Sequence, residues 1–312
     1  MIEFDLPAGK TNMPVVLGLG VFDGVHRGHR KIISELSAMG RRCGAVPVAV
    51  TFIPHPREVL SSPPLPRLLL PPEERFRRLR EAGAEGIGII RFSRRIAEMT
   101  PAEFVSELLK LEPQVRGICV GSKWRFGRGG DGGTSFLAAE LSRRGIAFDA
   151  VSELKMGGVI VSSSGIREAI ATGDISGAAE MLGALPCLYG SVRAGFGIAG
   201  KELHAPTANI RVDFGVLPPD GVYATISEVG GRSFPSVTNI GLSPTFGGTP
   251  ERRVESHLIG FSGDLYQKKV VVEIVTRIRG ERKFATASDL AEQIDADRKK
   301  AMELLSGTEA SK

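Results

Sequence analysis

A change in hydrophobic pattern near Pro186 constrains the fold of this 312-residue chain more than any other feature. Before it, β-branched runs alternate with segments whose apolar residues recur at helical spacing, which is typical of an α/β fold with a parallel sheet. After it, short β-type runs separated by Gly and Pro extend to about residue 279, and an amphipathic helix follows over 288–305. The sequence therefore predicts an α/β domain over 1–185 and, over 186–312, a small antiparallel β-barrel with a C-terminal helix.

Composition excludes several classes of protein. Apolar residues make up 42% and charged residues 24% of the chain, as in globular proteins, and no run approaches the ~18 apolar residues of a membrane-spanning helix. The net charge of +5 suits anionic substrates but is too small to indicate a nucleic-acid-binding surface. The N-terminal segment lacks a signal-peptide pattern, and the three cysteines form no CxxC pair. We therefore expect a cytoplasmic protein with neither membrane nor nucleic-acid partners.

A glycine-rich turn with two histidines follows the first predicted strand. The segment GVFDGVHRGH, residues 20–29, leads into a helix, whose N-terminal N–H groups attract phosphate. His26 and His29 are three residues apart, so both imidazoles can donate to one phosphate and stabilise charge that develops when it is attacked. The turn residues predicted to bind a nucleotide are Gly20, Phe22, Asp23, Gly24 and Gly28. The alternative is a pair of surface histidines that only cap the helix.

Three further segments are candidates for the same site, because they follow predicted strands or begin a helix. Ligands of a parallel sheet bind at its carboxyl edge. The residues that the three segments supply are His55 and Pro56, then Arg125 and Phe126, then Ser162, Ser163, Ser164 and Arg167. The arginines would contact phosphates, and the ring of Phe126 or of its neighbour Trp124 would contact a flat ligand. A rigid proline loop, a solvated basic loop and simple helix capping are the respective structural alternatives.

A second glycine-rich segment, residues 195–209, lies in the predicted barrel. The residues predicted to approach phosphates are Gly195, Gly197, Gly200, Lys201 and Pro206. Thr207 and Asn209 offer short oxygen-bearing side chains, which suit Mg²⁺ when water and substrate phosphates complete its shell. Taken alone, the segment favours an irregular hairpin loop, so the metal site is one of two interpretations.

A carboxylate and a histidine share one face of a predicted barrel strand. Alternation places Val254, Ser256 and Leu258 on one side and Glu255 and His257 on the other. A carboxylate beside a polar partner can take a proton from a substrate hydroxyl, which makes Glu255 a candidate general base. The alternative is a solvent-facing pair with no chemical role.

Taken together and in this order, the motifs resemble the bifunctional prokaryotic riboflavin kinase/FAD synthetase family. The motifs that resemble the first half of the family are GVFDGVHRGH, VTFIPHPREVL, VGSKWRFGRG and VSSSGIREAI. Those that resemble its riboflavin kinase module are LHAPTANI, DGVYA, NIGLSPTFGG and VESHLIGFSGDLYQK. The resemblance covers almost the whole chain and implies a Rossmann-like nucleotidyltransferase domain followed by a kinase barrel.

The resemblance implies two reactions with riboflavin, FMN and ATP as substrates. The C-terminal module would transfer the γ-phosphoryl group of MgATP to riboflavin and give FMN. The N-terminal module would then transfer the adenylyl group of a second ATP to FMN, giving FAD and pyrophosphate. The implied catalytic residues are His26, His29, Arg167 and Glu255, with Thr207 and Asn209 as metal ligands. The products could be handed over transiently to apo-flavoproteins.

Several positions depart from the family pattern. Val21 stands where the family usually has Asn, Lys123 replaces an acidic or amide residue, and His204-Ala205 replaces Gly-Phe. Two alternatives therefore remain open at this point. One is a riboflavin kinase with an impaired adenylyltransferase module, and the other is a flavin- or nucleotide-binding protein without turnover.

Overall fold

The computed structural model divides the chain into two compact units. It describes residues 2–5, 12–62, 65, 67–110, 114–193, 207–243 and 251–306. The first unit comprises Met1–Pro66 and Pro72–Ser162, and the second comprises Arg67–Pro71 and Ser163–Lys312. The functional boundary between residues 185 and 186 stays a prediction.

The first unit is built on a mixed six-stranded sheet. Its strands are β1 (Ile2–Asp5), β2 (Val15–Leu19), β3 (Val46–Ile53), β4 (Gly86–Arg91), β5 (Val115–Gly121) and β6 (Ala147–Val151). They lie in the order β1-β4-β3-β2-β5-β6, with β2 to β6 mutually parallel and β1 antiparallel to β4. The predicted parallel sheet is confirmed, and β1 adds an edge strand that was not predicted. A short hairpin of β7 (Lys155–Met156) and β8 (Val159–Ile160) follows.

Among the residues that the structure describes, six α-helices accompany this sheet. They are α1 (Arg27–Cys43), α2 (Pro56–Leu60), α3 (Pro72–Glu81), α4 (Arg94–Ala97), α5 (Pro101–Leu109) and α6 (Thr134–Ser142). Helix α5 begins with a capping box, because Thr100 accepts from the Glu103 N–H and the Glu103 carboxylate accepts from the Thr100 N–H. Helix α6 has Gly133 as its N-cap residue. Gly133 takes the extended cap conformation, so the helix begins at Thr134 itself.

The central strands explain why the first unit gathers its polar motifs at one edge. Every residue of β2 and all but the last residue of β3 are buried, as expected for parallel strands covered on both faces. Because β2, β3 and β5 run in the same direction, the segments that follow them emerge at one edge of the sheet. Those segments are the histidine turn, the His55 loop and the loop that holds Arg125.

The described part of the second unit combines two helices, a closed barrel and a terminal helix. Its elements are α7 (Ser163–Thr172), α8 (Ile175–Leu182), β9 (Cys187–Arg193), β10 (Thr207–Phe214), β11 (Gly221–Val229), β12 (Arg232–Ser243), β13 (Glu251–Leu258), β14 (Lys269–Arg279) and α9 (Ala287–Leu305). The barrel closes in the order β10-β13-β12-β11-β14-β9 with antiparallel neighbours, which confirms the predicted architecture. Strand β10 was not predicted as a strand, because its first residues resemble the end of a glycine-rich loop.

The barrel separates an interior from an outer face that is partly covered by α9. Val254, Ser256 and Leu258 point inward and are buried, as the alternation of β13 predicts. Inside, five buried hydroxyl groups satisfy one another by hydrogen bonds; they belong to Thr225, Ser227, Ser236, Thr238 and Ser256. Outside, Ala301 and Leu305 of α9 pack on β11. In the part of the chain that the structure describes, no helix has the length and apolar character needed to cross a membrane.

Candidate active sites

The turn after β2 has a backbone conformation that most side chains avoid. Phe22 has a φ of 54° and Val25 a φ of 41°, and positive φ is rare for bulky or β-branched residues. Such residues cost on the order of 1–3 kcal/mol each and persist where the surroundings fix them. Gly24, with a φ of 89°, meets the same backbone demand without a side chain. A Cβ at Gly20 would lie 2.9 Å from the Phe22 ring, so the turn also needs glycine there.

The two predicted histidines are brought together at the start of α1. His26 is the N-cap, and its Nδ1 accepts from the backbone N–H of His29 at 3.2 Å. The two rings stack with centroids 3.6 Å apart and planes 19° apart, and the Phe22 ring meets His29 at 5.3 Å in a T-shaped contact. Gly28 leaves room for this arrangement, because a Cβ there would lie 3.2 Å from the His26 ring. Both imidazoles are therefore fixed where the helix dipole favours an anion.

The protonation of this pair follows from its surroundings. Burial, the neighbouring His26 and the cationic Arg75, in that order, hold the pKa of His29 well below its ordinary value of 6.5. The His29 ring is therefore neutral near pH 7, and its Nδ1 is buried without a hydrogen-bond partner in the protein. Because His26 accepts at Nδ1, its neutral ring carries its proton on Nε2 and can donate from there.

A buried arginine that was not predicted from the sequence supports the turn. Arg75 of α3 is 2% exposed and donates from Nη1 to the carbonyl of Val21 at 3.1 Å. The hydroxyl of Thr51, at 0% exposed, donates to the same carbonyl at 2.8 Å. Burial lowers the pKa of Arg75, and the charge of Asp23, itself buried, acts in the opposite direction. Residue 21 joins this network through its backbone carbonyl, which valine supplies as any residue does.

The predicted residues His55 and Pro56 form a helix start. The His55 ring accepts from the Arg57 N–H at 3.0 Å, and its backbone N–H donates to the Glu58 carboxylate at 2.8 Å. Pro56 is the first residue of α2. The structure thus gives a capped helix start in place of the rigid proline loop named as the alternative, and a substrate-binding role for these two residues stays a prediction.

The loop after β5 holds two stacked aromatic rings, of which one is buried and the other is partly exposed. Phe126 is 7% exposed, and the ring of Trp124 stacks on it with centroids 4.7 Å apart. Trp124 is only partly buried, so it is the ring of this pair that a ligand can reach. Arg125 is exposed and donates to a backbone carbonyl of its own loop at 2.8 Å. The charge of Lys123 is paired with Glu153 at 2.9 Å.

A pocket of about 330 Å³ that was not predicted from the sequence lies beside these rings. Its apolar wall is formed by Ile90, Ile96, Met99, Phe104 and Leu108. The Phe104 ring lies 6.2 Å from that of Trp124 and 5.5 Å from that of Phe126. Arg91 and Arg95 also line the pocket. Apolar walls with nearby cations suit a flat ring that carries an anionic group.

The last predicted segment of the first domain falls at the boundary between the two compact units. Ser162 ends the first unit, whereas Ser163 and Ser164 begin α7 in the second. Arg167 lies one turn into α7, and its Nε donates to the carbonyl of Arg67 at 2.9 Å. The substrate-binding role of the serines and the catalytic role of Arg167 stay predictions.

Strand pairing assembles a polar row on the outer face of the barrel. Asn209 of β10 lies opposite Glu255 of β13, and Glu255 in turn lies opposite Asn239 of β12. Thr207, two residues before Asn209, lies opposite His257. Because directly opposed residues project to the same side, these five side chains share one face. Asn239 was not predicted, since its place in the row depends on strand register alone.

A pocket of about 290 Å³ opens over this row, lined also by residues of α9. Its polar side is formed by Thr207, Asn239, Glu255 and His257, and its apolar side by Val222, Val237, Phe284, Leu290 and Ile294. Three predicted residues of the second half thus meet on one surface, since Thr207 and Glu255 line the pocket and Asn209 is register partner to Glu255. The pocket has room for an apolar ring beside a carboxylate that faces hydroxyl- and amide-bearing side chains.

A partly buried ion pair fixes α9 to the barrel at this pocket. Arg279 of β14 makes a two-pronged contact with Asp297 of α9, with its Nε at 3.0 Å and its Nη2 at 2.7 Å from carboxylate oxygens. Asp297 is 4% exposed and also accepts from the Gln293 amide at 3.0 Å. The Arg279 guanidinium lies 5.9 Å from the centre of the Phe284 ring. These contacts hold one wall of the pocket in place.

The side chains of the polar row on the barrel can be compared with those that usually bind Mg²⁺. Among the described residues, no three His, Cys, Asp or Glu side chains cluster as a metal site. Mg²⁺ is usually held by few protein oxygens, with water and substrate phosphates completing its shell, so Thr207 and Asn209 fit this ion chemically. The predicted phosphate-binding residues Gly195, Gly197, Gly200, Lys201 and Pro206, and the departures His204 and Ala205, lie outside the described residues.

Comparison with known proteins gives one family for both halves. Family models match twice, as FAD synthetase over residues 9–165 and as riboflavin kinase over residues 182–305. The bifunctional riboflavin kinase/FMN adenylyltransferase of Escherichia coli K12 is 35% identical over 92% of each chain. The protein of the same name from Bacillus subtilis is 32% identical over 93% of this chain and 92% of its own.

A solved structure shares the whole fold. The crystal structure described as a macrolide-efflux protein from Streptococcus pneumoniae matches with a TM-score of 0.83 and 28% identity over 95% of each chain. Its name says nothing of flavins, whereas both family models and the relatives above agree with the site geometry. On these grounds, the chain belongs to the bifunctional riboflavin kinase/FMN adenylyltransferase family.

Proposed function

We propose that this chain makes FAD in two steps at two separate sites. Riboflavin is phosphorylated by ATP on the barrel, and the resulting FMN is adenylylated by a second ATP at the histidine turn. The observation that carries the proposal is the pairing of two different phosphate-handling arrangements on one chain. One is a stacked histidine pair at a helix N-terminus, and the other is a carboxylate flanked by two amides above an apolar pocket.

In the first step, Glu255 acts as the general base. Its carboxylate takes the proton of the terminal ribityl hydroxyl as that oxygen bonds to the γ-phosphorus of ATP and ADP leaves. Asn209 and Asn239 flank the carboxylate in the strand register. The apolar side of the pocket, with Phe284 and Leu290, holds the flavin ring. Positioning and charge neutralisation contribute more to this transfer than covalent chemistry does.

Thr207 and Asn209 would hold a magnesium ion together with the phosphates of ATP. When bound, the ion neutralises phosphate charge and orients the transferred group. The protein's own contribution is to place a hydroxyl and an amide side chain two residues apart on one face of β10. The predicted loop residues Gly195, Gly197, Gly200, Lys201 and Pro206 would complete the phosphate contacts.

In the second step, the histidine turn stabilises the α-phosphate. A phosphate oxygen of FMN bonds to the α-phosphorus of ATP, and the bond to the departing pyrophosphate breaks. His26 donates from Nε2, and the neutral His29 offers a second ring nitrogen at the positive end of α1. Arg167 adds a cationic contact in this proposal. A neutral imidazole can stabilise developing negative charge without first losing a proton.

The aromatic rings of the loop after β5 favour the binding of a flavin in the first unit. Trp124 offers a reachable face, and the pocket lined by Phe104 offers apolar walls. Arg95 lines this pocket beside the carboxylate of Glu107 and offers a cation to an anionic ligand. We further propose a cytoplasmic location, with riboflavin, FMN and ATP as small-molecule partners and a transient hand-over of FMN and FAD to apo-flavoproteins.

Product analysis tests the two-step function. Purified protein is incubated with MgATP and either riboflavin or FMN, and the flavins are separated by chromatography. We expect FAD from both starting flavins, with FMN as the intermediate in the riboflavin reaction. FMN without FAD would identify a kinase with a silent adenylyltransferase module. Flavin binding without any product would identify a non-catalytic binding protein and overturn the proposal.

A further inference from the structure

The strained turn that carries the histidines needs external support. Phe22 and Val25 adopt positive φ angles, and a turn of this kind relaxes unless neighbouring groups hold it. Within the turn, the Val25 N–H donates to the Phe22 carbonyl at 3.2 Å. Other parts of the chain support the turn at Val21, the residue before Phe22. The Val21 carbonyl accepts two side-chain hydrogen bonds.

Both donors to that carbonyl are buried and come from different elements. Thr51 belongs to β3 and is 0% exposed, and Arg75 belongs to α3 and is 2% exposed. Together they tie the turn to a strand and a helix that are distant in sequence. The Nε of Arg75 is also buried without a hydrogen-bond partner, and such an unsatisfied cationic donor is rare unless function retains it.

The charges around Arg75 define its electrostatic role. Asp23, Glu58 and Glu73 are the carboxylates that act on it, and His29 is a titratable group that it acts on in turn. His29 is faced by His26 from the same helix start and by Arg75 from α3. Arg75 thus contacts the turn through a hydrogen bond and acts on His29 through its charge.

We propose that Arg75 is a positioning residue for adenylyl transfer, which with Thr51 locks the Val21 carbonyl and so holds the turn that presents His26 and His29. This inference rests on the proposed function of the turn. The field of Arg75 adds to burial and to His26 in keeping the pKa of His29 low, so the guanidinium also maintains the neutral ring.

Four variants test this role. Arg75→Met removes the hydrogen bond and the charge, Arg75→Lys keeps the charge, and Thr51→Val removes only the hydroxyl. Arg78→Met is the matched control, because Arg78 is buried on the same helix but pairs with Glu74 at 2.6 Å. Each variant is assayed for FMN adenylylation from pH 5 to pH 8.5, with riboflavin kinase activity measured in the same sample.

We expect Arg75→Met to lower the kcat of adenylylation by about 100-fold, as misplacement of a catalytic group does, with the KM for ATP nearly unchanged. The acid limb of its pH profile should move to higher pH, because the pKa of His29 rises once the cation is gone. Thr51→Val should lower kcat without moving that limb, since no charge is lost. Arg75→Lys should leave the limb in place and restore part of kcat. Kinase activity should stay unchanged throughout.

Three results would overturn the inference. The first is a kcat for Arg75→Met within threefold of wild type while wild type makes FAD, which refutes this role alone. The second is an equal loss in Arg75→Met and Arg78→Met with an unmoved acid limb, which marks a general packing effect. The third is wild-type protein that makes no FAD from FMN, in which case the proposed function fails and this role fails with it.

Discussion

The two sites reach similar phosphate chemistry by different constructions. In the first unit, one turn of backbone carries both histidines, and buried groups from β3 and α3 hold that turn in a strained conformation. In the barrel, the described catalytic and metal-binding candidates lie on regular strands. Glu255 and its neighbours come from three of these strands, and antiparallel register places them side by side.

This difference predicts how each site responds to change. A site concentrated in a turn depends on the buried groups that fix its backbone. Substitutions of those groups lower activity because they allow the strained turn to relax. A site spread over strands depends on register and on the helix that covers it, so its weak points are the contacts of α9. The following predictions separate the two constructions.

The largest effect is expected for Glu255→Gln, which keeps the shape of the side chain and removes the base. We expect riboflavin phosphorylation to fall by roughly 10²–10⁴-fold, the usual contribution of a positioned general base. Conversion of FMN to FAD should persist, as measured by chromatography of flavins. Glu228→Gln, at an exposed position of β11, serves as the control. A kinase loss below tenfold in the Glu255 variant would contradict its role.

The second prediction concerns His29→Ala, which should reduce adenylylation and leave riboflavin phosphorylation intact. Removing one preorganised donor costs about 2.7–4 kcal/mol of transition-state stabilisation, so FMN adenylylation should slow by roughly 10²–10³-fold. FMN formation from riboflavin in the same sample is the internal control and should be unaffected. Equal slowing of both reactions would show that the two sites are not separate.

A moderate effect is expected for Asp297→Asn, which breaks the ion pair between α9 and β14. Because Arg279 keeps partial access to water, we expect a loss of about 1.5–3 kcal/mol in the free energy of unfolding of the second unit. The KM for riboflavin should rise, since the pocket wall loosens, while adenylylation is unaffected. Thermal unfolding measures the loss of stability, and kinase kinetics measure the KM for riboflavin. Asp295→Asn, at an exposed position on the same helix, is the control.

The smallest effect concerns pH. The pKa of His29 in the folded chain lies below its ordinary value of 6.5, so below that pH the unfolded chain binds a proton that the folded chain does not. Stability should therefore fall as the pH drops from 6.5 toward the folded pKa, by at most about 1.4 kcal/mol per pH unit from this group. In His29→Gln the decline should be shallower, as urea unfolding at pH 7 and pH 5.5 would show. Identical slopes would contradict the assigned neutral state.

The same contrast explains what the sequence could reveal. The histidine turn is contiguous, so its glycines, His26 and His29 are recognisable as one motif from the sequence alone. Arg75 was not predicted, because it lies in an arginine-rich helix where most arginines are expected to face solvent. A usable signal was its spacing from the buried Leu79, which places the two residues on the same face of α3.

In the barrel, local pattern predicts the face of a residue but not its neighbours. The alternation of β13 correctly separated Glu255 from the core residues on either side of it. The pairing of Glu255 with Asn209 and Asn239 required the register of three strands, which local pattern does not determine. The contact of α9 with Arg279 is likewise a tertiary feature, although an amphipathic helix there was predicted.

Two sites that work separately on one chain are the central claim, and a mixing experiment tests it most directly. Glu255→Gln and His29→Ala are each incubated with riboflavin and MgATP, alone and together, and FAD is measured at early times. We predict little FAD from either variant alone and rapid FAD formation from the mixture, because FMN released by one variant is adenylylated by the other. A mixture that makes no more FAD than the separate variants would contradict the claim.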